Sequence, residues 1–286
     1  MLAVFKKLLS VPGVRNAHIS PVCCDDKNGG WMIYIGIKED SANDFTYRPT
    51  PTGSQRLPGK MIKDYEHFES LIHEAVLKGQ ASEDDSKGHA YITYPPAKSI
   101  QDRFIYIANH QLPLLRDVLR NSSNAEHRSV AAWIIPYYAN KRNIVPDLLA
   151  AVHDENETVR NNVTRALSIL ASYAAENTKA GITIPWHDFV TMIRSLVWTD
   201  RNKGLAVLVG LSKKRDLFLL KALKEQALDD LAEMAKWKNT GHAFFAFILL
   251  GRMAGIAEED IYSNLELDTA ARIAVVGKWI NAINAN

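Results

Sequence analysis

Asp154-Glu-Asn-Glu-Thr-Val-Arg160-Asn-Asn-Val-Thr-Arg-Ala-Leu167 decides the fold. Val159, Val163, Ala166, Leu167 and Leu170 recur at the spacing of one apolar face of an α-helix. Before it, Val145, Leu148, Leu149 and Val152 repeat the same period, so the stretch reads as helix, turn, helix. Asp154 is placed to cap the second helix, with Glu157 three residues on completing a capping box. Shifting the chain by 32 to 33 residues superposes Arg128, Ala131 and Ile135 on Arg160, Val163 and Leu167. Leu115, Val118 and Leu119 take the part of the first helix in that earlier copy. Neither pair covers its own apolar face, which predicts stacking into a shared core.

Asp154 and Arg160 around a short turn, Asn161-Asn162, and the run Arg165-Ala166-Leu167 resemble the HEAT-repeat family. The resemblance is to the short bacterial variety of the phycobilin lyases. It implies a ladder of acids and arginines between successive turns, assigning structural roles to Asp154, Arg128, Arg160 and Arg165. The first copy departs from the pattern, with Ser122 in place of the acid and Arg128 retained six residues later. A resemblance to uncharacterised bacterial HEAT-repeat proteins with an N-terminal α+β segment extends over the polar loop Gln80–His89. Neither resemblance names a reaction, because helical repeats host many functions.

Outward from the repeats, helical spacing continues to the end of the chain, through Phe189 to Val197, Lys203 to Leu211, Asp216 to Ala235, His242 to Ala254 and Ala270 to Ile283. Toward the start the pattern changes. Met1–Ser10 is a short amphipathic helix, and His18–Cys24 with Trp31–Lys38 forms a hairpin across the turn residues Asp25–Gly30. Prolines 49, 51 and 58 keep residues 46–60 out of a helix, Met61–Lys78 is helical, and Tyr91–Tyr94 is a further short strand. The expected fold is therefore mainly α: a HEAT-like α-solenoid over 98–286 behind a small α+β unit over 1–97, divided at Pro95-Pro96.

The 34 basic and 32 acidic side chains nearly balance, which argues against nucleic acid as a partner. With no run of about 18 apolar residues, the sequence predicts no membrane insertion. Two lysines interrupt the first apolar run, so it makes a poor secretory leader, and a cytoplasmic place is favoured unless a leader has been removed. Adjacent Cys23 and Cys24 are unsuited to stapling distant segments.

Several stretches approach a catalytic motif and stop short. Gly53 to Met61 has five residues between its glycines where a phosphate loop has four, and Met61 where magnesium needs a hydroxyl. His73-Glu74 lacks the second histidine of a zinc peptidase, since Leu77 stands there. Glu83, Asp84, Asp85, Ser86 and His89 would form a site only if the loop brought them together; capping and solvation suffice for them. No catalytic, cofactor or metal residues are therefore assigned, and a non-enzymatic interaction protein is expected, its partner an unspecified protein or peptide. Its candidate surface is Trp198, Asp200, Arg201, Lys203, Trp237 and Lys238, within a span of ten basic and six acidic residues from 194 to 238. The alternative is a DNA-binding protein resembling the HEAT-like alkylpurine DNA glycosylases, with Trp198 and Asp200 in an aromatic, basic groove.

Overall fold

The computed structural model describes residues 2–23, 31–39 and 45–285. Its first elements are α1 (Leu2–Leu9), β1 (Val14–Cys23), β2 (Trp31–Glu39), α2 (Gly59–Leu77), β3 (Glu83–Asp84) and β4 (Tyr91–Ile92). Helices follow: α3 (Lys98–His110), α4 (Leu112–Asn121), α5 (Ala125–Ile134), α6 (Lys141–Ala151) and α7 (Glu157–Glu176). The last are α8 (His187–Met192), α9 (Trp198–Leu211), α10 (Leu217–Ala235), α11 (Thr240–Met253), α12 (Glu258–Leu265) and α13 (Thr269–Ala285). The fold is mainly α with a little antiparallel β-structure near the front. The turn expected at Asp25–Gly30 and the residue Cys24 lie outside the described residues. Strand β4 pairs with β3 and not with the β1–β2 hairpin, so the short strand at Tyr91 belongs to a second two-stranded sheet.

The chain divides into two compact units, Thr46–Ile184 and Met1–Phe45 with Pro185–Asn286. This division differs from one at residue 97. In the first of these units the helix α2 finds its apolar partners on the repeats: Phe68 meets Phe104 edge-on at 5.4 Å and Tyr65 meets Trp133 at 5.8 Å. An amphipathic helix with its apolar face on α3 and α5 belongs to their core, whatever the composition of its neighbours.

In Thr46–Ile184, α4 with α5 and α6 with α7 form consecutive antiparallel pairs, α5 lying on α7 and α4 on α6. The apolar positions read from the sequence fill the shared core, with Leu115, Val118, Leu119, Val159, Val163, Leu167 and Leu170 all buried. The helix starts are capped by Asn124, which accepts from His127 N, and by Asn156, which accepts from Val159 N. Asn156 thus takes the capping place expected of Asp154. The carboxylate of Asp154 instead turns inward, where Oδ2 and Oδ1 accept from Arg128 Nε at 2.9 Å and Nη2 at 2.8 Å, while Oδ1 also takes the amide of Asn156. Arg128 and Asp154 are both fully buried. Burial alone raises the Asp154 pKa, but Arg128, the Asn156 amide and Arg48 outweigh it and hold the carboxyl below its ordinary range.

Arg160 sits one repeat on and donates to the carbonyls of Asp154 and Glu155. In the first copy, the Ser122 carbonyl receives Arg128 Nη1 at 2.8 Å. Arg165 stands apart from these turn contacts, its guanidinium lying 4.8 Å over the Trp133 ring and 2.5 Å from Glu83 of β3.

The proline-rich stretch is an ordered strap across the repeat turns. Arg48 N donates to His153 O at 2.7 Å, Gly53 N to Asn121 O at 2.9 Å, Ser123 N back to Gly53 O at 2.8 Å, and Leu57 N to His127 Nδ1 at 2.8 Å. At Gly53 a Cβ would lie 2.5 Å from Asn121 O, so only glycine admits this approach. The segment from α2 to β4 covers the other side of the repeats, and within α5 only Glu126 is exposed.

Under that cover Lys141 is buried with no carboxylate paired to it among the described residues. Its ammonium donates to Pro136 O at 2.5 Å and lies 2.8 Å from His89 Nδ1. Desolvation pushes its pKa down to about 7, and desolvation together with the Lys141 charge pushes His89 down to about 4.

Two outcomes follow for stability. Arg128→Ala takes the forked partner from a buried carboxylate and leaves it Arg48 and the Asn156 amide; it should cost about 3 kcal/mol, read as a fall in denaturant midpoint. For Lys141 the folded pKa lies below the unfolded one, so between about pH 7 and pH 10 the unfolded chain binds more protons and stability rises with pH. Lys141→Met should flatten that rise in melting temperature, and a parallel rise in both proteins would contradict it.

Candidate functional site

In the unit formed by Met1–Phe45 and Pro185–Asn286, the helices pair as α8 with α9, α10 with α11 and α12 with α13, and α9, α11 and α13 lie side by side. The turn ahead of α9 is held by Ser195, whose Oγ donates to Asp200 Oδ2 at 2.8 Å and accepts the Val197 amide at 3.1 Å. The turn ahead of α11 is held by Asn239, which caps the helix by accepting from His242 N. These two turns set Trp198 and Trp237 beside each other at one end of the helical layer.

The hairpin lies against the same turns. At Gly36 a Cβ would sit 2.2 Å from Leu196 O and 2.9 Å from Leu196 Cα, so the absent side chain is what lets β2 reach the turn. Two residues back, Tyr34 points at the aromatic pair. Its ring stacks on Trp198 at 5.2 Å, tilts against Trp237 at 4.6 Å, and its hydroxyl pairs with His242 Nδ1.

These contacts leave a cavity of about 350 Å³ between hairpin and turns. It is lined by Met32 to Gly36 of β2 and by Leu196, Trp198, Arg201, Glu233, Trp237, Lys238 and Asn239. Arg201 lies over the Trp237 ring at 5.8 Å and reaches Glu233 at 3.4 Å. Two N–H groups of this wall, Trp198 Nε1 and Arg201 Nε, are buried with no acceptor among the described residues. The lining carries two cations and one carboxylate, so it favours an acceptor or anion beside an apolar or aromatic group.

Of the residues singled out in the sequence, Trp198, Arg201, Trp237 and Lys238 meet at this cavity. Lys203, on the same helix, does not line it. Asp200 is a correction: at 1% exposure it is a turn-holding group under the surface, and it offers no accessible acid for a glycosylase. Tyr34, Gly36, Glu233 and Asn239 were not read as site residues. The Asn239–His242 spacing repeats that of Asn124–His127 and Asn156–Val159 and marks a helix start, but nothing local connects it with Tyr34.

The motifs weighed in the front segment do not assemble a centre. Glu83 pairs with Arg165, Asp84 accepts the Ser86 amide, and His89 is buried against Lys141. Glu74 is held by Lys78 at 2.5 Å and accepts from Tyr94 at 2.9 Å. Among the described residues no group of three His, Cys, Asp or Glu side chains is arranged to hold a metal ion, and no helix is long and apolar enough to cross a membrane.

Paired helices, buried turn arginines and asparagine caps define the class as an α-helical repeat protein. The comparisons add that residues 112–179 match the family model described as HEAT repeats, a similarity confined to that segment. No curated protein matches it.

Gly36→Ala should push β2 off Leu196 at about 1–3 kcal/mol, the usual range for overpacking. The expected readout is faster amide exchange along 32–38 and a weaker near-ultraviolet signal from the Tyr34–Trp198 stack; unchanged exchange would show that the close approach is not obligatory.

Proposed function

We propose that this chain is a non-enzymatic interaction protein whose partner docks at the aromatic and cationic cavity beside β2. The observation that carries the reading is the convergence of Trp198, Trp237, Arg201 and Lys238 on one cavity of about 350 Å³. Tryptophan, tyrosine and arginine beside an enclosed apolar surface are the side chains that dominate binding energy in protein interfaces. The repeats at 112–179 supply rigidity in this reading more than they supply a surface. Their turns carry the strap 46–57, and their α5–α7 side carries α2 and the β3–β4 hairpin.

The test compares the full chain with Trp237→Ala and Arg201→Glu as immobilised baits in extract of the source cells, with and without nuclease. A defined protein held by the wild type and lost from both variants, at unchanged melting temperature and regardless of nuclease, is the expected result. Equal recovery on all three baits overturns the assignment. Recovery abolished by nuclease would transfer the site to nucleic acid.

A further inference from the structure

The cavity borders five consecutive residues of β2, Met32 to Gly36. Successive side chains of a strand point to opposite faces; Tyr34 and Gly36 face the turns, so a cavity that also touches Ile33 and Ile35 reaches the strand's backbone edge. Among the described residues β2 pairs with β1 alone, which leaves its other edge without a strand. We infer that this edge is a strand-addition site: an extended peptide segment of a partner protein, alternating acidic and aliphatic residues, pairs with β2 as the third strand of the sheet. The inference rests on the docking reading above and specifies the form and chemistry of what docks.

The ladder itself says which backbone groups are available. The register places Pro21 opposite Ile33, Ile19 opposite Ile35 and Ala17 opposite Ile37. Proline has no N–H to give a partner strand, so the Pro21–Ile33 pair suits the non-hydrogen-bonded class. The same parity is marked independently at Ala17, whose N–H is taken by the Asn16 side chain at 2.8 Å and not by β2. In an antiparallel ladder such pairs alternate with bonded ones. The N–H and C=O of Ile33 and Ile35 therefore face away from β1, toward the open edge.

A strand added there has two environments for its side chains. Those level with Tyr34 enter the cavity, where Arg201 and Lys238 outnumber Glu233 and the indoles of Trp198 and Trp237 form walls. Those level with Ile33 and Ile35 lie beside aliphatic side chains that are 59% and 42% exposed. Acidic residues fit the first set and aliphatic residues the second, and the main-chain ladder supplies the remaining bonds. From residue 32 to 37 this edge carries neither charge nor proline, the kind of exposed apolar stretch that strand-bearing proteins avoid when nothing is meant to pair with it.

The probe is a displayed library of random peptides about ten residues long, selected on the full chain. Enriched peptides should alternate aliphatic and acidic residues, and replacing the acids by lysine should weaken binding roughly tenfold or more. N-methylation of alternate amides, which removes ladder donors, should abolish binding in one register and spare it in the other. Ile35→Pro removes an outward N–H while keeping the bonds to β1, and it should abolish binding at unchanged melting temperature. Peptides indifferent to N-methylation overturn the inference whether or not that variant folds, as does a selection enriching nothing over Trp237→Ala. Peptides lost on Trp237→Ala yet retained equally on Ile35→Pro defeat strand addition and leave the cavity as a docking site; peptides indifferent to both defeat both readings.

Discussion

A guanidinium and a carboxylate buried together between successive repeat turns are the constraint on which the unit Thr46–Ile184 depends. Taking both charges out of water is costly, and only near-ideal geometry offsets it. Arg128 meets that demand with a fork onto both oxygens of Asp154, and its remaining nitrogen is satisfied by the Ser122 carbonyl. Arg48 adds a second cation from the strap at 2.5 Å. The pair thereby fixes the spacing of two turns and the path of the proline-rich segment above them. A strap anchored in this way has lost its freedom to act as a spacer, and prolines suit it because an extended strap gains from a restricted backbone.

Both units solve the attachment of front-segment chain to repeat turns by the same device. At Gly53 and again at Gly36 the backbone comes so close to a turn carbonyl that no side chain fits. The outcomes differ in what remains open. The strap closes over its turns with reciprocal backbone bonds, whereas β2 gives half its backbone groups to β1 and keeps the rest on an edge beside an aromatic wall. The proposed docking site accordingly lies at the turns ahead of α9 and α11, while the repeats with the clearest sequence signature are occupied by their own chain.

The helical periodicity of 113–173, the repeat spacing and the arginines at its turns were legible because each is written within a few residues. Their exact use was less so. Asp154 and Asn156 are two residues apart and both have capping side chains, and only the position of Arg128 decides which turns inward. Arg165 has the spacing of a ladder residue, yet Trp133 and Glu83 claim it through contacts local periodicity does not encode. The same applies to the cavity: its tryptophans and cations stood out by composition, but Tyr34 lies more than 160 positions away in the sequence from both indoles it contacts. The burial of Asp200 follows from Ser195, an unremarkable serine until the turn is seen.

Amide hydrogen exchange of the full chain, free and saturated with its captured partner, tests the central claim most directly. Binding at the open edge predicts slowed exchange at the amides of Ile33 and Ile35, with little change at those of Tyr34 and Gly36 already turned toward β1. Protection confined to 112–179, with β2 unaffected, would contradict the account and return the binding face to the segment that matches the HEAT-repeat model.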